Sequence, residues 1–111
     1  MSVKYPFGPA AILALSATGA QALTIDNGLT IVDGETVIAT GNRTLNLTIA
    51  ADLLAGAELI LKAKTTGTET SIFGAGMVGV TITGAAGKIK TQSFIYDGSN
   101  FIAKAASVQI D

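Results

Sequence analysis

"LTIDNGLTIVDGETVIATGNRTLNLTIA", residues 23–50, alternates apolar and polar residues and is rich in Thr, Val, Ile and Leu. A period of two with β-branched side chains marks half-buried strands, since successive side chains point to opposite faces. Asn27-Gly28, Asp33-Gly34 and Gly41-Asn42 interrupt the pattern with pairs favoured in tight turns. The expected strands are therefore 20–26, 29–33, 35–40 and 43–50, joined as antiparallel hairpins. The near-repeat Leu23-Thr-Ile-Asp-Asn-Gly and Leu29-Thr-Ile-Val-Asp-Gly hints at a β-solenoid. It occurs twice and stops, whereas a solenoid needs sustained self-similarity.

The same reading extends outward. Residues 51–55 form a helical turn ended by Gly56, and 58–64 return to alternation, with Leu59, Leu61 and Ala63 on one face and Glu58, Ile60, Lys62 and Lys64 on the other. Further strands fall near 68–73, 78–83, 88–96 and 100–110. Eight or nine short strands predict an all-β fold, an antiparallel β-sandwich or jelly-roll-like domain spanning residues 10–111. Residues 1–9, "MSVKYPFGP", combine two prolines, a glycine and two aromatics, a composition that suits an extended N-terminal arm.

Composition narrows function. The 111 residues make one domain, and a net charge of −1 provides no basic footprint for nucleic acid and no polybasic patch for a membrane. No run reaches the ~18–20 apolar residues that span a bilayer. The N-terminus resembles a secretory signal only loosely: one Lys precedes a short apolar run that follows Pro6, Gly8 and Pro9, so no cleaved signal is expected. Charged residues are 14% of the chain and apolar residues 49%. So weakly charged a surface either faces other subunits or consists of Ala, Gly, Thr and Ser. Cys and His are absent, which removes thiolate chemistry, the commonest general base and the commonest transition-metal ligands. No catalytic, cofactor or metal residues are expected.

Several motifs have a structural reading. "GAGMVG", residues 74–79, matches a dinucleotide fingerprint, but β-branched residues follow it where a helix N-terminus would have to meet the pyrophosphate. It reads as a glycine loop between sheets. Asp33 with Glu35, or Asp26 with Asp33, are the nearest carboxylate pairs, and each sits at a turn where Asp bonds the backbone. Asn42-Arg-Thr44 and Asn46-Leu-Thr48 match the glycosylation triplet, which strand and turn preferences explain equally well.

"TQSFIYDGSNFIAKA", residues 91–105, holds three of the six aromatic residues. A turn at Asp97-Gly98 or Gly98-Ser99 puts Phe94, Tyr96, Phe101 and Ala103 on one face and Ile95 and Ile102 on the other, so both faces are apolar. Two readings follow. In one, the aromatics pin the register of a core hairpin. In the other, Phe94, Tyr96 and Phe101 meet a neighbouring subunit together with Tyr5, Pro6 and Phe7 of another arm.

Residues 44–105, through "AGAELILKAKTTGTET", "FGAGMVG" and "FIYDGSNFIA", resemble a recurrent β-rich module of tailed-bacteriophage virion proteins, the auxiliary and head-fibre proteins of capsids, notably in crAss-like phages. The resemblance implies a non-enzymatic protein on the capsid exterior that decorates or reinforces the shell. It implies the major capsid protein and copies of itself, as in a trimer around a three-fold position, as partners. The alternative is a carbohydrate- or receptor-binding module, which would use exposed aromatics and turn carboxylates.

Overall fold

The computed structural model describes residues 4–111. Their secondary structure is entirely β: β1 (Ala11–Ala14), β2 (Gly19–Ile25), β3 (Leu29–Ala39), β4 (Arg43–Ile49), β5 (Glu58–Thr65), β6 (Thr70–Phe73), β7 (Met77–Val78), β8 (Ile82–Thr83), β9 (Ile89–Tyr96), β10 (Phe101–Ala103) and β11 (Val108–Gln109). Residues 51–55 are a non-helical turn.

The strands form a seven-stranded sheet in the order β1-β3-β5-β9-β10-β7, with β11 also on β9, and a four-stranded sheet in the order β2-β4-β6-β8. Both sheets contribute to one hydrophobic cluster: Leu23, Ile25, Leu45 and Leu47 from the smaller, and Val32, Leu59, Leu61, Phe94 and Phe101 from the larger.

The expected antiparallel hairpins do not form in the first two-thirds of the chain. From β1 to β6 the chain alternates between sheets, and each strand pairs in parallel with the strand two places on. Three successive coils result, each giving one strand to each sheet. Asn27-Gly28 thus carries the chain across the core from β2 to β3, and Gly41-Asn42 carries it back from β3 to β4. Burial explains the difference. Leu23 and Ile25 point inward from one sheet and Thr30 and Val32 from the other, so an arch between sheets buries both sets on one core.

The coils are unequal in length: Ala11 pairs with Thr30, but Leu29 with Glu58. The hexapeptide near-repeat is unrelated to them, because its first copy buries Leu23 and Ile25 while its second buries Thr30 and Val32. Antiparallel pairing appears where the stack ends, with β9 on β5, β10 on β9 and β8 on β6.

Asp33-Gly34 does not reverse the chain either. It lies inside β3, where register against β5 shifts between Gly34 and Ala39. Asp33 accepts the backbone N–H groups of Glu35 (2.9 Å) and Thr36 (3.0 Å) and the Thr36 hydroxyl (2.6 Å), shaping a bulge. Gly34 is there for space: a Cβ would lie 2.6 Å from the Lys62 carbonyl oxygen and 3.0 Å from Arg43 Nη2.

The bulge serves Arg43, whose side chain is fully buried. Entering from the first residue of β4, its Nη1 donates to Ser16 O and Val37 O (3.2 Å each) and its Nη2 to Gly34 O (3.0 Å) and Lys64 O (3.4 Å). One guanidinium from the smaller sheet thereby ties the loop after β1, the bulge of β3 and the end of β5. Burial lowers its pKa, while Asp33 and Glu69 oppose that shift.

Arg43→Met removes these donors from buried carbonyls and is expected to lower unfolding stability by about 3 kcal/mol or more, read from the urea midpoint. The hydrogen bonds from Thr36 and Glu35 hold the Asp33 pKa down, from 3.8 to about 2. Its stabilising contribution is therefore complete above its ordinary pKa and is lost as pH falls from about 4 to 2. Asp33→Ala is expected to shrink that acid loss by about 1 kcal/mol, solvent screening included, as measured by urea titrations across the window.

Candidate partner-docking site

The N-terminal segment is folded back rather than extended. Residues 1–3 of the expected arm lie outside the described residues; residues 4–7 form a turn closed by Phe7 N–H on Lys4 O at 2.9 Å, containing a cis Tyr5–Pro6 bond. The anchor is Asn27, buried in the β2–β3 arch. Its Oδ1 accepts the Tyr5 N–H at 3.0 Å and its Nδ2 donates to Pro9 O at 3.1 Å, so one amide holds both arms of the segment. Gly28 permits the approach, since a Cβ there would come 3.0 Å from Tyr5 O. Lys4 meets Asp26 at 3.3 Å, an exposed pair of small energetic weight.

Between this turn and the β4–β5 loop lies a groove of about 380 Å³. Tyr5 and Pro6 line one wall, Asp52, Leu53 and Leu54 the other, with Gly28, Gly56 and Ala57 between. Leu54 is 80% exposed and Phe7, just outside, 89%. The Lys4–Asp26 pair cancels locally, leaving Asp52 as the remaining charge of the rim. An apolar side chain or short segment fits such a mouth better than a highly charged ligand.

Of the six sequence-predicted interface residues, only Tyr5, Pro6 and Phe7 stand at the surface. Phe94, Tyr96 and Phe101 are core residues of this same chain, at 0%, 8% and 0% exposure, and offer no face to a partner. Phe94 meets Phe73 edge-on at 5.0 Å, Tyr96 stacks on Phe101 at 5.1 Å, and the Tyr96 hydroxyl donates to Gly98 O. Face assignment in the hairpin follows the expected parity, with Phe101 opposite Tyr96 and Ile102 opposite Ile95. The smaller sheet covers the aromatic face because it is the larger of the two apolar surfaces, and the isoleucines point outward.

The carboxylates act as turn staples. Glu69 is held below its ordinary pKa by the Thr66 hydroxyl and the Gly67 N–H, and Asp97 by the N–H groups of Asn100 and Ser99. Glu35 pairs with Lys62 at 3.4 Å. Asn42 and Asn46 accept the N–H groups of Thr70 and Ala75, and "GAGMVG" links β6 in one sheet to β7 in the other. Among the described residues no three His, Cys, Asp or Glu side chains gather as metal ligands, and no helix is long and apolar enough to cross a membrane. Sequence reading missed the groove's far wall, Asp52 to Leu54, whose one signal was an apolar pair set in a turn.

No protein-family model matches the chain, and no curated protein or solved structure does so.

Tyr96→Ala combined with Phe101→Ala is expected to unfold the isolated chain, since truncating a buried Phe alone costs about 3–5 kcal/mol. Loss of the cooperative thermal transition is the readout; a folded double variant defective only in assembly would contradict the core placement.

Proposed function

We propose that the chain is a non-enzymatic virion protein that decorates or stabilises the capsid of a tailed phage from outside the shell. In this reading the two sheets are a β-sandwich and the N-terminal turn with its groove is the docking element for the major capsid protein. The observation that carries the reading is the Tyr5–Phe7 turn: two exposed aromatic residues are held by a buried amide at a fixed place beside exposed Leu54. Rigid aromatic anchors at low conformational cost are what interface hot spots require. The likeness of residues 44–105 to capsid auxiliary modules supplies the partner. Copies of the chain, as in a trimer on the lattice, are further partners.

The groove also supports a second reading, a carbohydrate- or receptor-binding module, because Tyr5 offers a stacking face beside the Asp26 and Asp52 carboxylates. Binding to shells separates the two. Cosedimentation with shells lacking the protein is expected to reach saturation at a fixed ratio to the major capsid protein, and Phe7→Ser with Leu54→Ser to weaken it at least tenfold. Both positions are exposed, so stability should change by no more than about 0.5 kcal/mol each. Absence of saturable binding, or binding indifferent to the pair, would exclude this docking element; glycan-array signal abolished by Tyr5→Ala would favour the second reading.

A further inference from the structure

The outward face of the seven-stranded sheet carries an aliphatic band that register aligns across strands. Ile12 of β1 is opposite Ile31 of β3, which is opposite Ile60 of β5. Two residues along the same face, Ile95 of β9 is opposite Ile102 of β10, which is opposite Val78 of β7. Between β5 and β9 the rows are offset by two residues: Ile60 is opposite Ser93 and Ile95 opposite Glu58, so Ile60 and Ile95 are diagonal neighbours on this face. Ile12, Val78 and Ile95 remain 68%, 50% and 39% exposed; the other three are half-buried by their ladder neighbours. An aliphatic ladder crossing six strands exceeds the scattered apolar residues that ordinary surfaces carry.

We infer that this face is a self-association surface, covered by the same face of a second copy of the chain. Charge favours that occupant. The groups among and beside the band balance: Glu35 pairs with Lys62 at 3.4 Å and Glu58 with Lys104 at 3.9 Å, and strand parity adds one further charge of each sign to this face, Asp33 of β3 and Lys64 of β5. A partner of one strong sign gains nothing there, whereas two neutral faces related by a two-fold axis meet without like-charge excess and can exchange ion-pair partners. Size agrees. At ~4.8 Å between strands and ~3.3 Å per residue, the strands of this sheet make a face on the order of 600 Å², so two such faces reach the ~1,200 Å² lower end of specific, stable interfaces. Sheets packed this way stack ~10 Å apart with interdigitated aliphatic side chains. The capsid reading names copies of the chain as partners without assigning them a surface; this inference assigns one, and association of the purified chain can fail or succeed independently of shell binding.

Sedimentation equilibrium on the purified protein tests it. A species of twice the 11.2 kDa chain mass is expected at micromolar concentration. Ile12→Glu with Val78→Glu, at opposite ends of the band, is expected to raise the dimer dissociation constant at least tenfold while leaving in place the urea midpoint measured at concentrations where both proteins are monomeric. The chain has no cysteine, so Ser93→Cys, beside Ile95 on this face, should cross-link between copies through a short bismaleimide, and Thr48→Cys, exposed on the smaller sheet, should not. A monomer at all concentrations up to several hundred micromolar, or an oligomer unaffected by the glutamates and cross-linked equally from Thr48→Cys, would overturn the proposal.

Discussion

The buried Arg43 guanidinium organises this molecule. A charge is costly to remove from water, and here no carboxylate compensates it directly; four backbone carbonyls do. Those carbonyls are available because β3 bulges after Asp33, and the bulge exists because Asp33 takes the following N–H groups and Gly34 has no side chain to block Lys62. Residues from β3, β4, β5 and the loop after β1 are thereby constrained at one point. The parallel coils gain a cross-link through the core that apolar packing alone would not orient.

Parallel pairing through alternating arches has a consequence for the ends of the molecule. The first coil, β1 and β2, leaves one edge in each sheet with no strand beyond it. Neither strand carries a charge or a proline, two devices that commonly blunt such edges. Side chains near this end instead tie up local backbone groups: Gln21 holds Ser16, Thr18 and Gly19, and Asn27 holds Tyr5 and Pro9. The pinned aromatic turn and its groove are thus products of how the chain closes over the arch between β2 and β3. The opposite end closes with antiparallel strands, and the β9–β10 hairpin there turns its aromatics inward and its isoleucines out.

Local chemistry was read correctly more often than its use. Asp33 does bond the backbone just ahead of it, as a turn aspartate does, yet the result is a kink in one strand and not a hairpin. Asn27 and Gly28 do occupy a connection between strands, yet that connection crosses the core. Face parity in residues 58–64 and 94–103 was legible because a strand's period is two whatever it pairs with. Arg43 was not legible: in Asn42-Arg-Thr44 it reads as a charged residue beside a turn, and its acceptors are backbone carbonyls 6, 9, 21 and 27 residues away that carry no side-chain signal. Of the groove, the aromatics Tyr5 and Phe7 were visible in composition but read as part of an extended arm, while the turn that holds them and the far wall at residues 52–54 arrive through tertiary closure.

The sequence by itself determined that the fold would be all-β, where most strands run, which residues share a face, and that the chain has no His or Cys for acid–base chemistry. Tertiary structure alone decided that β1 to β6 pair in parallel between two sheets, that Phe94, Tyr96 and Phe101 lie inside while Tyr5 and Phe7 lie outside, and that an arginine sits in the core. The physical reason is the range of the forces involved. Alternation and turn preference are local properties of a few residues, whereas strand partnership is set by which distant apolar faces can be buried together and which buried polar groups can be satisfied at once.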